Sequence, residues 1–193
     1  MTTIATAPVG TPSTLNELSG SYTVDAAHTR VGFVARHAMV TKVRGGFNEF
    51  EGYIVADGAD LAASRAALTI EAASIDTRNA DRDGHLRSND FLGREEFPQI
   101  VFVSTGVKQT GATSLELAGD LTIKGVTNSV TVPFDFEGGA TDPFGNHRIG
   151  FEGSVSISRQ DYGITWNAAL ETGGVLVSDK ITLEFEVSAI KTP

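Results

Sequence analysis

The sequence predicts an all-β fold whose eight antiparallel strands either close into a barrel or stack as a sandwich. From Tyr22 onward, apolar and polar residues alternate with period two, as in strands that have one buried and one exposed face. Short links rich in Gly, Asp and Asn join most segments, which favours antiparallel neighbours. The chain has 193 residues, of which 40% are hydrophobic, enough for the core of a single domain.

Eight segments show this alternation clearly. The first has Val31, Phe33 and Ala35 on one face, and the glycines of the second indicate a bulge or a sharp bend. Later segments repeat the pattern with leucine, valine and phenylalanine on the apolar face. The predicted strands cover residues 28–37, 45–56, 65–75, 99–105, 114–125, 129–138, 146–159 and 180–190.

Two connections are too long to be turns. Residues 76–98 form the helix-compatible one, and we expect one or two short helices near residues 78–93, with Ser88 as the N-cap of the second and Gly93 near its end. Residues 160–179 contain the single Trp and a pair of glycines. Long ordered loops on a barrel commonly cover its mouth.

The first twenty residues differ from the rest in composition. They contain no Lys or Arg and no apolar run, so they lack the features of a secretory signal. We predict a disordered leader over residues 1–20 and a single domain over residues 21–191. No segment approaches the roughly 18 apolar residues of a membrane-spanning helix. These features favour a cytoplasmic location.

Charge and residue types exclude several classes of partner. The net charge is −9, from 15 basic and 24 acidic residues, which disfavours nucleic acid. The absence of Cys excludes disulfides and thiolate metal sites. The four histidines, His28, His37, His85 and His147, do not show the spacing of metal ligands. We therefore expect no metal and no cofactor.

The charged stretch over residues 76–90 has alternating signs, typical of a salt-bridged surface helix. Two functional alternatives stay open. In one, Arg82, His85 and Arg87, together with Arg159, form a rim for the polar head group of a ligand. In the other, His85 and Asp83 act as an acid–base pair in a lipid-modifying enzyme. We favour the absence of catalytic residues, because the chain has neither Cys nor a GxSxG nucleophile elbow.

The inward-facing side chains fill the barrel or line a cavity for one small ligand. Small residues at inward positions, namely Ala35, Ala66, Ala72 and Gly119, favour the cavity. The candidate ligand-binding residues are Phe33, Phe47, Phe50, Leu68, Ile70, Leu86, Phe91, Phe102, Leu117, Leu121, Phe134, Phe151, Trp166, Leu183 and Phe185.

Six motifs, in one order within residues 22–190, resemble those of the YceI-like family. They are YTVDAAHTRVGF, GGFNEFEG, ASIDTRNADRDGHLRSNDF, FPQIVFVST, LAGDLTIKGVTNSVTVP and SRQDYG. The resemblance implies a lipocalin-like, eight-stranded antiparallel barrel that holds a polyisoprenoid in its apolar interior. Other members bind fatty acids or their amides, which makes a different amphiphilic lipid the alternative ligand. The family also includes periplasmic members and homodimers.

On this resemblance we expect a non-enzymatic protein that sequesters or transports a polyisoprenoid, either an isoprenoid quinone or a polyprenyl phosphate. The net charge of −9 suits an uncharged quinone head at least as well as a pyrophosphate. The expected partners are the lipid itself, a membrane contacted transiently during lipid exchange, and a second copy of the chain in a homodimer.

Overall fold

The computed structural model describes residues 10–193. Helix α1 (Ala80–Arg87) interrupts a succession of strands, and short 3₁₀ turns occupy several connections. The strands are β1 (Ser19–Val24), β2 (Arg30–His37), β3 (Thr41–Phe47), β4 (Phe50–Asp57), β5 (Arg65–Glu71), β6 (Ile75–Asp76), β7 (Gln99–Gln109), β8 (Ser114–Ile123), β9 (Val126–Thr141), β10 (His147–Ser158) and β11 (Lys180–Lys191).

Eight of these strands close into a ring. The order is β1-β4-β5-β7-β8-β9-β10-β11, and β11 pairs back onto β1. The neighbours are antiparallel throughout, as the short connections predict. The barrel rather than the sandwich is therefore the fold, and the predicted fold class is confirmed.

The strands of the ring differ in part from the predicted ones. The predicted set omits β1 and treats residues 45–56 as one strand, whereas the chain breaks there into β3 and β4 at residues 48–49. Both β1 and β2 pair with the same long strand, β11. Strand β2 pairs with the first half of β11, and β1 pairs with the last three residues of β11. A 3₁₀ turn over Ala26–His28 separates β1 from β2. An alternating pattern alone does not show that two short strands share one long partner.

The N-terminal segment corrects another prediction. Residues 1–9 lie outside the described residues, but residues 10–18 are ordered, so the disordered leader over residues 1–20 is wrong for this part. Leu15 begins a 3₁₀ turn over Leu15–Glu17, and Leu18 directly follows it. The two leucines are 0% and 3% exposed. The Leu15 N–H donates to the Ala112 carbonyl at 3.0 Å. The two leucines, three residues apart, close one end of the barrel.

Helix α1 occupies the predicted region and is the single α-helix of the described residues. It begins after Asn79, whose side chain accepts from the Arg82 N–H at 2.9 Å. Ser88 ends it instead of starting a second helix, since both its N–H and its hydroxyl donate to the His85 carbonyl. The chain then folds back over the helix end, where the Leu92 N–H donates to the Leu86 carbonyl at 3.0 Å. In the part of the chain that the structure describes, no helix has both the length and the apolarity to span a membrane.

Two apolar clusters lie at opposite ends of the lumen. One, under α1, includes Val31, Ile70 and Phe91. The other surrounds Leu15 and includes Phe136. They mark the two ends of the space described below.

Arg148 joins two carboxylates at the end of the barrel where β9 turns into β10. Its Nη1 lies 2.6 Å from an Asp25 oxygen and its Nε 2.7 Å from an Asp142 oxygen. Hydrogen bonds from Arg148 and His28 hold the pKa of Asp25 below its usual value. Hydrogen bonds from Asn146, and then from Arg148, hold the pKa of Asp142 well below its usual range.

A carboxyl whose pKa is depressed by folding stabilises the protein above its unfolded pKa, near 3.9, and loses that contribution as the pH falls. We therefore expect the Arg148→Met variant to show a shallower loss of stability below about pH 4 than the wild-type protein. Urea unfolding midpoints between neutral and acidic pH measure this slope. Arg94→Met, which removes an exposed pair with Glu95, is the control. Equal acid slopes for Arg148→Met and the wild type would contradict the assignment.

Candidate functional site

The barrel lumen holds a cavity of about 290 Å³. Strands from the whole ring contribute to its wall, together with Leu86 of α1 and residues of the two long connections. Nearly all of the atoms that face the space are carbon. The cavity is therefore suited to hydrocarbon.

Two polar residues of the wall, Thr29 and Ser64, bond their hydroxyl groups to the backbone. The Thr29 hydroxyl donates to the Ser188 carbonyl at 3.1 Å and accepts from the Ser188 N–H. The Ser64 hydroxyl accepts from the Asp57 N–H at 2.9 Å. A polar group inside this space would thus be desolvated without a partner, which costs free energy.

All but two of the predicted ligand-binding residues line the cavity. Phe50 and Trp166 do not, and both pack against the apolar cluster under α1. The predicted residues in the wall are Phe33, Phe47, Leu68, Ile70, Leu86, Phe91, Phe102, Leu117, Leu121, Phe134, Phe151, Leu183 and Phe185. Alternation along strands identified this face, although contact with a ligand stays a prediction.

The lumen stays open because three phenylalanine rings lie against glycines of neighbouring strands. A Cβ added to any of these glycines would overlap the facing ring. The rings thus take up the space beside the strand backbone that side chains at these glycines would fill. The pairs are Phe33 with Gly45, Phe102 with Gly119, and Phe134 with Gly153.

The small residues expected to open the cavity do so only in part. Ala35 and Ala66 line it, as predicted. Ala72 is buried elsewhere and does not line it. Gly119 contributes differently from the expectation, because the Phe102 ring occupies the space that a side chain would fill.

Sequence reasoning missed part of the wall. Leu15 and Leu18 of the N-terminal segment line the cavity, as do Tyr162 and Ile164 of the long connection after β10. The leucine spacing of three residues was the available signal for the first pair. Tyr162 ends a 3₁₀ turn over Arg159–Tyr162 and Ile164 follows it, so strand periodicity gives no signal for this pair.

The charged segment is mostly anchored within the protein. Arg82 donates from Nε to the Thr77 hydroxyl at 2.7 Å and from Nη2 to the Thr77 carbonyl at 2.9 Å. Arg87 donates to the carbonyls of Ala73 and Ile75 at 2.8 and 2.9 Å. Neither arginine lines the cavity, and a head-group role for them stays a prediction.

His85 does not pair with Asp83, so that prediction is wrong. Asp83 is buried and accepts from the N–H and hydroxyl of Thr77. The His85 Nε2 instead lies 2.8 Å from an Asp90 oxygen. The ring packs edge-on against Trp166, with 4.6 Å between centroids, and does not line the cavity.

Arg159 is not on an exposed rim, which corrects the fourth head-group prediction. It is 4% exposed and donates to the carbonyls of Ser178, Ile164 and Trp166 at 2.8–2.9 Å. No salt bridge among residues 10–193 includes it. Burial lowers the pKa of Arg159, an effect that the charge of Asp179 partly offsets. The guanidinium holds the connection after β10 in place.

Tyr162 is also buried but, unlike Arg159, makes no side-chain hydrogen bond within the described residues. It is 2% exposed. Burial raises the pKa of this hydroxyl.

Comparison with known proteins agrees with this geometry. Residues 22–189 match the YceI-like domain. UPF0312 proteins of Staphylococcus aureus and Staphylococcus epidermidis are 40% identical over 170 and 169 residues, which is 88% and 87% of this chain and 95% of each relative.

Solved structures show the same fold. Burkholderia cenocepacia BcnA superposes with a TM-score of 0.76 at 26% identity, over 86% of this chain and 98% of BcnA. The Campylobacter jejuni YCEI protein gives 0.71 at 28% identity, over 82% and 90%. A polyisoprenoid binding domain of Saccharophagus degradans gives 0.67 at 16% identity, over 89% and 98%, a likeness of fold alone. By its matched domain and its relatives, the chain belongs to the YceI-like family.

Proposed function

We propose that this protein binds the hydrocarbon chain of an amphiphilic lipid in its barrel lumen and sequesters or carries it without catalysis. An isoprenoid is the first candidate and a fatty acid or its amide the second. The carbon-walled cavity of about 290 Å³ carries this proposal. The name of the Saccharophagus degradans domain, a protein of the same fold, supports the isoprenoid.

Energetics favour a ligand whose chain does most of the binding. Burial contributes about 0.8 kcal/mol per CH₂-sized group, or roughly 3–4 kcal/mol gross for each prenyl unit. Ordering of the chain and loss of tumbling offset part of this. The cavity volume of about 290 Å³ lies just below the roughly 300–1,000 Å³ typical of ligand sites. It therefore suits one narrow chain better than a bulky ring system.

The head group belongs outside the carbon-walled part of the lumen. The wall offers almost no hydrogen-bonding atoms, and the protein has a net charge of −9. An uncharged head, such as a quinone, avoids both a desolvation cost and a repulsion. We therefore propose an isoprenoid quinone ahead of a polyprenyl phosphate.

The absence of catalysis is part of the proposal. The His85–Asp90 pair lies outside the cavity wall, while Leu86 and Phe91 beside it face the lumen. A bound chain would thus pass the apolar side of this segment.

Extraction of the purified protein, followed by mass spectrometry, tests the proposal directly. We expect a lipid with an isoprenoid chain. After delipidation, titration with an isoprenoid quinone should give a saturable change in the fluorescence of Trp166, the single Trp. Trp166 contacts Phe91, which lines the cavity, with 5.4 Å between ring centroids. A protein that yields no lipid and gives no saturable response with isoprenoids or fatty acids would contradict the proposal.

Narrowing the lumen should weaken binding. Ala66 lines the cavity, so Ala66→Leu fills part of the space and should lower affinity for the quinone about tenfold or more. Ala140→Leu is the matched control, because Ala140 is exposed on β9 and does not line the cavity. Quinone titration of both folded variants measures the difference. Equal affinities for the two variants would place the ligand elsewhere.

A further inference from the structure

The turn between β2 and β3 is built from residues that suit a turn poorly. Ala38 and Met39 both have left-handed backbones, with φ values of 48° and 65°, and the Val40 N–H donates to the His37 carbonyl at 3.1 Å. His37 and Thr41 are cross-strand partners, so the loop has three residues, with Ala38 and Met39 as the two left-handed central residues of a β-turn. Such a β-turn favours Asn-Gly, because most other residues are strained in the left-handed conformation. Turn formation therefore does not explain Ala38 and Met39.

Burial does not explain the apolar residues either. Met39 is 59% exposed and Val40 is 74% exposed. Val175, on the connection that runs alongside, is 39% exposed. The Ala38 N–H donates to the Leu176 carbonyl at 2.8 Å, which joins this connection to the turn. We call Met39, Val40 and Val175 the apolar tip.

Positive charge flanks the apolar tip. Residues 36–44 contain Arg36, Lys42 and Arg44 and no carboxylate, in a chain of net charge −9. Arg36 and Lys42 are cross-strand partners, and neither belongs to a salt bridge of the described residues. Arg44 forms a salt bridge with Glu184, with 3.2 Å between its Nη1 and a carboxylate oxygen.

The acidic side chains nearby leave this charge largely in place. Asp179 accepts from the Ser158 hydroxyl and the Gln160 N–H and keeps its negative charge, which acts on the buried Arg159. Glu171 is exposed on the connection beside the tip and opposes one positive charge. Lys180 adds a cation at the start of β11.

The apolar tip also adjoins the cavity. His37 forms a bridge with Val177, and Val177 lines the lumen, as does Ala35 on β2. A surface that docks on the tip would therefore lie next to one end of the lipid site.

We propose that the β2–β3 hairpin docks this end of the barrel on an anionic lipid bilayer, with Met39 and Val40 inserted among the lipids and Arg36 and Lys42 at the head groups. Apolar side chains flanked by cations bind such surfaces through burial and electrostatic attraction together. The inference rests on the proposed function, because docking would bring the lumen to a membrane that contains its lipid ligand.

Vesicle flotation with the full chain tests docking. The probe is phosphatidylcholine vesicles with or without an equal part of phosphatidylglycerol. We expect binding to the anionic vesicles that weakens as salt is raised. The Ala38→Asn/Met39→Gly/Val40→Thr variant keeps a favoured turn and should melt no lower than the wild type. Its partition coefficient should fall about tenfold or more. Arg36→Gln/Lys42→Gln should remove the preference for anionic vesicles.

The control is Phe144→Ser. Phe144 is 89% exposed in the turn between β9 and β10, near the other end of β11, about 35 Å away at roughly 3.3 Å per residue. It should bind vesicles as the wild type does.

Three results would overturn docking. They are no vesicle binding by the wild type, equal binding by the turn variant, or a wild-type dimer in light scattering that the turn variant converts to a monomer without any change on vesicles. The last would assign the tip to a second copy of the chain. Quinone titration of the turn variant separates the two proposals, because lipid affinity should survive when docking is lost. If the wild type bound vesicles but neither it nor any variant bound the quinone or a fatty acid, the proposed function would be overturned and docking would stand.

Discussion

Replacing Arg159 by methionine is expected to lower the free energy of unfolding by about 3–5 kcal/mol. The guanidinium of Arg159 donates to carbonyls at both ends of the connection between β10 and β11, namely Ile164 and Trp166 on one side and Ser178 on the other. Methionine fills the volume but leaves these carbonyls without donors in a buried place. The loss of stability arises because the guanidinium donor is removed while its carbonyl acceptors stay buried.

Urea unfolding followed by Trp166 fluorescence measures this loss. Tyr162→Phe is the matched control in the same connection, since it removes a buried polar atom that has no partner. This control should leave stability unchanged or raise it slightly. A loss below about 1 kcal/mol for Arg159→Met would show that water or a rearranged loop satisfies the carbonyls.

Replacing Leu15 by alanine is expected to destabilise the protein by about 2–5 kcal/mol, although this residue precedes the first strand of the barrel. Leu15 is fully buried and lines the cavity beside Leu18. Alanine would leave a void in a cluster that includes Phe136 and Ile149. Because Leu15 is also part of the lumen wall, the variant should accept a bulkier chain than the wild type.

Thermal and urea unfolding measure the effect, and Thr11→Ala is the control. Thr11 is exposed in the same segment and should change stability by no more than about 0.5 kcal/mol. If Leu15→Ala and Thr11→Ala were equally stable, the N-terminal segment would not close the barrel in solution.

Alternation was sufficient to predict the lumen because side-chain direction in a strand follows from period two alone. Phe33, Leu68 and Leu183 lie on three different strands, and each faces the cavity as its own segment predicts. No knowledge of which strands are neighbours is needed for this. The same reasoning fails for Leu15 and Tyr162, which lie on 3₁₀ turns.

Contacts between two particular residues depend on the register of the strands, and the alternation of apolar and polar residues does not determine that register. The packing of the Phe33 ring over Gly45 follows from the pairing of β2 with β3, where these two residues are direct partners. The contact of His85 with Asp90 instead of Asp83 follows from the end of α1 at Arg87 and the turn after it. Arg159 was predicted on a rim as one of the cations available to a ligand head group, whereas carbonyls of the following connection hold its guanidinium inside the protein.

The join between β1 and β11 has a consequence for how the chain folds. Only three residue pairs make this join, from Tyr22 with Lys191 to Val24 with Ala189, against eleven between β10 and β11. Its two sides come from opposite ends of the domain, so closure has a large loop entropy and cannot occur during synthesis until the last strand has left the ribosome. Until then, one edge of β1 is unpaired and open to pairing with other chains. We therefore expect ring closure to be the late step of folding, and the stage at which a chaperone matters most.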